Sequence, residues 1–290
     1  GVGTLVFFAI TQGRVPSYLG SSFAFIGVVI AATGYAGGGP NANLPVALGG
    51  IVACGLVYTL VGFAVMASGT AWIERLMPPV VTGAVVAVIG LNLAPIAVKG
   101  ASSTPFDAWM AVTTILCVGG VAVFTRGLVQ RLLILVGLAL ACVIYGILAN
   151  GMGLGKPIAL AGIAAAPWIG APRFAAPVFD GNAIALIAPV AVILVAENLG
   201  HLKAVGAMTG RNLDPMIGRA FVGDGVATMI AGSVGGTGVT TYAENIGVMA
   251  VTKIYSTLVF VVAAAVAVVL GFSPKFGALL QAIPAAVLGG

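Results

Sequence analysis

The chain has 290 residues, of which 60% are hydrophobic and only 7% are charged, and its mean hydropathy is +1.18. A soluble domain carries about 25% charged residues, so this composition excludes a soluble globular fold and indicates an integral membrane protein. The net charge of +5 does not indicate nucleic-acid binding, because no basic patch is interleaved with aromatic stacking residues.

Apolar stretches near the length of a membrane span recur along the chain, separated by Gly, Pro or charged clusters. In chain order they are Val46–Met66, Val80–Val98, Trp109–Phe124, Leu132–Leu148, Ala183–Glu197, Gly218–Ile230 and Tyr255–Phe272. Lipid-exposed backbone must satisfy its own hydrogen bonds, and the period-two alternation of barrel strands is absent, so these stretches are predicted to be helices. The sequence predicts an all-α polytopic membrane protein.

The basic residues predict the orientation of these spans. If the spans alternate in direction, eight of the 12 basic residues fall on one side, namely Arg14, Arg75, Arg126, Arg131, Lys203, Arg211, Arg219 and Lys253. The remaining four are Lys99, Lys156, Arg173 and Lys275. The positive-inside rule predicts that the larger group faces the cytoplasm.

Two acidic residues interrupt apolar runs. Glu197 and Glu244 each lie where a helix is predicted to cross the bilayer, and a carboxylate there costs about 2.5–3.5 kcal/mol. The single histidine, His201, follows Glu197 by one helical turn on the same face. This grouping indicates proton handling inside a membrane, whereas Asp224, five residues after Arg219, is expected to be structural or to reach the cytoplasmic interface.

An internal repeat is the strongest organisational signal. Ser21–Ala24 resembles Thr240–Ala243, and each is followed by an Ile-Gly-Val segment; later, Met77–Gly83 resembles Ile283–Gly289. Two matches in the same order predict a duplicated unit, as in many secondary transporters. An odd number of spans between the copies predicts that they are inverted. The register also predicts that one leading helix and the last few helices of the whole protein lie outside this chain.

Each repeat contains a candidate broken helix. The stretches Gly13–Phe23 and Gly232–Tyr242 are rich in glycine and β-branched residues, which disfavour a helix interior. Extended backbone at membrane depth is tolerated only where protein or a wet cavity surrounds it. Such a break leaves the first N–H groups of the following helix free for a ligand's oxygen atoms, so the two breaks predict a site at the midplane of the membrane.

The predicted site suits a planar lactam such as uracil. Carboxylates at Glu197 and Glu244 accept hydrogen bonds from ring N–H groups, while the backbone N–H groups near Phe23 and Ala243 donate to ring carbonyls. The rings of Phe23 and Tyr242 are placed to cover the face of the base. An anionic substrate suits the site less well, because two buried acids repel it.

Three motifs carry a family resemblance. Glu244–Lys253 fits the signature of the nucleobase–ascorbate transporters (nucleobase:cation symporter family 2), Val195–His201 resembles their acid-and-histidine helix, and Tyr18–Phe25 resembles their third-helix motif. The resemblance covers essentially the whole chain and is strongest to the bacterial uracil and pyrimidine permeases. It implies an inverted-repeat (7+7 transmembrane segment) fold with core and gate domains, in the bacterial inner membrane.

The resemblance also implies an activity and roles for single residues. The expected activity is proton-driven import of uracil or a close analogue such as thymine, without a cofactor or metal; the expected partners are the lipid bilayer and a second copy of the chain. The resemblance assigns substrate contacts to Glu197, Glu244, Phe23, Ala243 and Tyr242. Proton coupling is assigned to Glu197, His201 and Glu244, and structural support to Asn245, Ser22 and Thr241. Purine-transporting members usually have glutamine where Glu244 stands, so the acid favours a pyrimidine substrate. Ala243 stands where some uracil permeases have glycine.

The resemblance predicts domain boundaries as well. Residues 1–70 are assigned to the core helices of the first repeat and residues 71–150 to its gate helices. Residues 151–182 are a connecting loop, residues 183–272 form the second set of core helices, and residues 273–290 begin the second gate segment.

Two other functions stay open: a purine (xanthine or urate) permease of the same family, and an anion exchanger or channel of the same fold. An enzyme is disfavoured, because no nucleophile–base set, metal-ligand spacing or phosphate loop is present.

Overall fold

The structure is a computed structural model that describes residues 1–35 and 41–290, and these residues are mostly helical. The α-helices are α1 (Val2–Thr11), α2 (Ala24–Thr33), α3 (Leu44–Ser68), α4 (Ala71–Leu76), α5 (Pro79–Ala101), α6 (Pro105–Phe124), α7 (Leu128–Arg131), α8 (Leu133–Gly146), α9 (Leu160–Ala165), α10 (Gly181–Ile187), α11 (Val190–Thr209), α12 (Ile217–Val234), α13 (Ala243–Thr252), α14 (Thr257–Gly271), α15 (Pro274–Gln281) and α16 (Ala285–Gly289). Two short strands, β1 (Leu19–Ser21) and β2 (Val239–Thr241), each precede a helix.

Several helices are suited to crossing a membrane, as the composition predicts. Within the described residues, five single helical segments are long and apolar enough: Leu44–Ser68, Pro79–Ala101, Pro105–Phe124, Leu133–Gly151 and Gly181–Thr209. The last of these joins α10 and α11, and Leu133–Gly151 continues α8 through a π-helical turn. The prediction of a helical polytopic membrane protein is therefore confirmed at this level.

The chain forms two compact units. The first contains Gly1–Ile89 and Arg173–Val269, and the second contains Gly90–Pro172 and Leu270–Gly290. Residues 71–89, assigned above to gate helices, belong to the first unit. The division into core and gate roles stays a prediction.

Close packing of α3 on α12 forms the centre of the first unit. Glycines line this contact: a Cβ at Gly62 would lie 2.6 Å from the backbone nitrogen of Val222, and one at Gly218 would lie 2.6 Å from Met66 Cγ. The backbones therefore approach more closely than larger residues allow. This packing fixes α12, and with it the buried side chain of Asp224, relative to α3.

The second break in the chain starts later than predicted. Helix α12 continues through Gly232 to Val234 and ends at Gly235, whose φ of 102° is left-handed. Gly232 stays helical because it packs on α3, where a Cβ would lie 2.9 Å from Val52 Cγ2. In the first repeat, by contrast, α1 ends at Thr11 and the non-helical segment includes Gly13 with φ 65°, within the predicted stretch.

The second unit is built on α6 and α8. Gly137 of α8 lies against Val118 of α6, and the rings of Phe106 and Tyr145 meet edge to face with centroids 5.3 Å apart. Lys275 Nζ lies 4.8 Å from the centroid of the Trp168 ring, a cation–π contact that holds the segment after α9 against the start of α15.

Candidate functional site

An antiparallel ribbon of β1 and β2 brings the starts of α2 and α13 together. Leu19 pairs with Thr241, Gly20 with Thr240, and Ser21 with Val239. Backbone bonds extend the ladder at both ends, from Ser22 N–H to Gly238 C=O and from Tyr242 N–H to Tyr18 C=O, each 3.1 Å long. Each strand leads directly into its helix, so the helices leave opposite ends of the ribbon.

Two aromatic rings cover glycines of the opposite segment. A Cβ at Gly20 would overlap the ring of Tyr242, and a Cβ at Gly238 would overlap the ring of Phe25. Tyr242 precedes α13 and Phe25 lies in the first turn of α2, so each half-helix contributes one ring. The crossing therefore depends on glycine at both positions, and the ring of Tyr242 packs on β1.

The two helix starts differ in how their N–H groups are used. In α2, Ser22 caps the first turn: its Oγ accepts from Ala24 N–H at 3.3 Å, and its carbonyl accepts from Phe25 N–H at 3.4 Å. In α13, Ile246 N–H bonds to the Tyr242 carbonyl, while the first-turn residues Ala243, Glu244 and Asn245 have no carbonyl one turn earlier in the helix. The start of α13 consequently offers the richer set of donors.

Glu197 is anchored to the start of α2. This half-buried residue lies in α11, and its Oε2 accepts a hydrogen bond from Ser22 Oγ at 3.0 Å. Helix α11, which carries Glu197, packs against α13, whose first turn contains Glu244. The two acids that the sequence selects, 47 positions apart, therefore lie on neighbouring helices.

The other predicted contact residues surround this pair. Glu244 and Ala243 are exposed, the Phe23 side chain is 38% exposed, and Tyr242 is half-buried. Asn245 Nδ2 lies 3.6 Å from Met249 Sδ one turn along α13, a contact within the helix itself. Whether these residues contact substrate stays a prediction.

His201 is buried beside β2 and is not bonded to the acid that it was expected to support. The side chain is 9% exposed and interacts with the backbone of Thr241. In the described part of the chain, its Nδ1 has no hydrogen-bond partner, and no hydrogen bond joins it to Glu197. A proton-coupling role for His201 stays a prediction.

A buried polar network behind the site was not found from the sequence. Asp224 Oδ2 accepts from Thr241 N–H at 3.2 Å and from Asn198 Nδ2, and Asn198 Nδ2 also donates to Tyr58 Oη at 2.8 Å. Asp224, Asn198 and Tyr58 are fully buried, so of the two expectations for Asp224 the structure supports the structural one. The network joins α3, α11 and α12 to β2.

Some signal for this network exists in the sequence. Asn198 directly follows Glu197, and Asp224 is a charge inside an apolar helix, which is costly unless it is paired. The partner of each residue lies on another helix, however, and the sequence gives no register between helices.

The arrangement combines acceptors and donors without a metal centre. Glu197 and Glu244 supply carboxylate acceptors, and the start of α13 supplies backbone donors. Across residues 1–35 and 41–290, no group of three or more His, Cys, Asp or Glu side chains is placed to hold a metal ion. A neutral heterocycle with alternating N–H and C=O groups on its edge complements this set of groups.

Comparisons with known proteins agree on one class. A family profile described as "Permease family" matches residues 1–290. A relative named as a pyrimidine permease, RutG of Escherichia coli (strain K12), is 71% identical over 290 residues, which is 100% of this chain and 66% of that protein. Proteins named uracil permease are 39% identical over 304 residues in Bacillus caldolyticus and 38% over 302 residues in Escherichia coli (strain K12); each alignment covers 100% of this chain and 67% of the relative. The chain spans about two thirds of the length of these relatives.

Proposed function

Because the chain belongs to the nucleobase–ascorbate transporter family, a permease family, we propose that its protein is a proton-coupled symporter that imports uracil or a closely related pyrimidine. It is a multi-pass protein of the bacterial inner membrane and a transporter rather than an enzyme. The observation that carries the proposal is the placement of Glu197, which Ser22 holds at the start of α2, on a helix that packs against α13 and its Glu244.

We propose that the base binds edge-on to this pair. The ring N–H groups donate to the carboxylates of Glu197 and Glu244, and the ring carbonyls accept from the backbone N–H groups of Phe23 and Ala243. The rings of Phe23 and Tyr242 cover the face of the base. The free N–H groups in the first turn of α13 and the positive end of its dipole support carbonyl binding there.

The acid at position 244 supports a pyrimidine over a purine. The relatives described above are named for pyrimidine or uracil permeation, and Glu244 stands where the family resemblance places glutamine in purine carriers. A second carboxylate accepts a hydrogen bond from a further ring N–H group. A glutamine side chain at this position would present one donor group and one acceptor atom instead of two acceptors.

Proton coupling rests first on the acid of α11. Glu197 is half-buried, and a proton that it takes up from outside prepares the site to bind a neutral base, whereas Glu244 at the start of α13 is exposed. Glu197 and Glu244 take part in proton uptake, and His201 takes part from its place beside Thr241. Coupling arises because the base binds well only to the protonated carrier.

The whole protein is proposed to have two inverted repeats of seven transmembrane segments each and to work as a homodimer. The antiparallel crossing of β1 and β2, with one half-helix after each strand, supports an inverted relationship between the copies. The first compact unit corresponds in this proposal to the core domain and the second to the gate domain. Movement of one domain past the other exposes the site to each side in turn.

The test is uptake into vesicles that contain the complete protein. Radiolabelled uracil, thymine, xanthine and sulfate are supplied with and without an inward proton gradient. Accumulation of uracil or thymine that depends on the gradient supports the proposal. Preference for xanthine would assign a purine permease, and sulfate flux independent of protons would assign an anion carrier.

A further inference from the structure

A cavity lies beside the part of α11 that follows Glu197. Its volume is about 520 Å³, and it lies between α11 and the segment that joins α4 to α5. The α11 residues Gly200 and Lys203 line the cavity and follow Glu197 at intervals of three, which places all three residues along one ridge of the helix. The cavity therefore follows Glu197 along α11, toward the side that the basic residues predict to be cytoplasmic.

The cavity has a polar pair on one wall and apolar cover elsewhere. Lys203 Nζ lies 2.9 Å from Glu74 Oε1 and 2.6 Å from Asp214 Oδ1. One of its three N–H donors bonds to Asp214 Oδ1, whereas Glu74 Oε1 is buried and has no hydrogen-bond partner among the described residues, so both Lys203 and Glu74 can pair with a ligand. The apolar lining comes from Met77, Pro79 and Leu199.

These groups match the edge and face of a neutral nucleobase. The ammonium of Lys203 donates to a ring carbonyl, and the adjacent Glu74 carboxylate accepts from the neighbouring ring N–H. Apolar side chains cover the ring face. One lysine and two acids leave a formal charge of −1 on the triad, which disfavours an anionic ligand.

We propose that this cavity is a second, weaker binding site for the pyrimidine base, occupied after the base leaves Glu197 and Glu244 and before it is released to the cytoplasm. The proposal rests on the proposed function of the carrier. It adds Lys203 and Glu74 to the residues that contact substrate.

In this proposal the base passes between the two sites at a neck formed by Gly200 and Thr82, which both line the cavity. A Cβ at Gly200 would lie 2.9 Å from Thr82 Cγ2, tighter than ordinary van der Waals contact. Gly200→Ala therefore narrows the passage, and Thr82→Ser restores space because it removes that methyl group. The single variant therefore tests a steric block, and the double variant tests whether the block can be removed.

The first experiment counts binding sites in the purified full-length protein in lipid nanodiscs, with radiolabelled uracil at equilibrium. The wild type is expected to bind two molecules per chain, one tightly and one weakly. Glu244→Gln removes the tight site and leaves the weak one. Lys203→Met weakens only the weak site, by about tenfold or more, the usual effect of losing a hydrogen bond to a charged group.

The second experiment measures uptake by the same variants. Lys203→Met and Gly200→Ala are expected to lower the maximal rate several-fold while KM changes little, and adding Thr82→Ser to Gly200→Ala restores the rate. The control is Arg75→Met, which removes an exposed cation next to Glu74 that does not line the cavity. Lys203→Met is expected to fold, because half-exposed ion pairs contribute only about 0–1 kcal/mol.

The outcomes separate this inference from the proposed function. The second site alone is refuted if the protein imports uracil but binds only one molecule per chain, and if the Lys203→Met and Arg75→Met variants have equal uptake rates. If Thr82→Ser does not restore the uptake rate of the Gly200→Ala variant, the assignment of Gly200 and Thr82 to the neck is wrong. A wild-type protein that neither binds nor imports a pyrimidine overturns both proposals.

Discussion

Ser22 donates a hydrogen bond of 3.0 Å to Glu197 from 175 positions away in the chain. The same hydroxyl oxygen accepts from the N–H of Ala24 and so caps helix α2. One small side chain thereby fixes an intramembrane acid to the start of the half-helix that faces it.

Ser22→Ala is expected to weaken uracil binding about tenfold or more. The variant loses a hydrogen bond to a charged group, and Glu197 is no longer held at the start of α2. Equilibrium binding to the full-length protein measures the effect. Ser21→Ala is the matched control, because Ser21 is exposed and neighbours the same strand end; equal affinities in the two variants would argue against the anchoring role of Ser22.

Replacing either acid by its amide is expected to impair transport in different ways. Glu244→Gln should depress uracil uptake severely, because an acceptor for a ring N–H becomes partly a donor. Glu197→Gln should impair binding or make residual uptake independent of the proton gradient. Initial rates of uptake with and without the gradient measure both effects.

Asp107→Asn serves as the control for these amide substitutions, since it changes a half-buried carboxylate in the first turn of α6, in the second compact unit. Normal gradient-driven uptake by both glutamine variants would end the assignment of the two acids to substrate and proton binding.

Gly238→Ala is expected to destabilise the protein by about 1–3 kcal/mol, because the added methyl group overlaps the Phe25 ring and overpacks the crossing. Thermal unfolding of the purified protein measures the loss. Phe25→Leu in the same chain should recover part of it by removing ring atoms. Gly27→Ala is the control, since a Cβ there meets no atom within 4 Å; equal stability of the two alanine variants would refute tight packing at Gly238.

Tyr58→Phe is expected to lower the unfolding free energy by about 1–3 kcal/mol, because Asn198 Nδ2 loses a buried acceptor. Combining it with Asn198→Leu should cost less than the sum of the single changes, since the two residues share one hydrogen bond. Chemical or thermal unfolding of all three variants gives the coupling free energy. Tyr255→Phe, at a half-buried tyrosine of the first unit, is the control, and strict additivity would show that the network contributes no coupling.

The sequence selected two acids and two glycine-rich breaks, and their role in a substrate site stays a prediction. Glu197 and Glu244 are recognisable because a carboxylate inside an apolar span is costly, and the glycine-rich stretches are recognisable because they disfavour a helix. The boundary at Gly232 was predicted less well, because its packing on α3 keeps it helical. The role of Asp224 stayed open between a structural one and the interface because its partners, Asn198 and the Thr241 amide, lie on other elements.

The sequence by itself determined the membrane setting, the positions of the spans and the identity of the costly polar residues, because these depend on local composition and transfer free energy. Only the tertiary structure decided that Leu19 pairs with Thr241, that Ser22 holds Glu197, and that His201 lies beside β2. Such contacts depend on the register and rotation of distant helices, which are set by packing across the whole unit. A hydropathy pattern specifies which face of a helix is apolar, but it does not specify which helix covers that face.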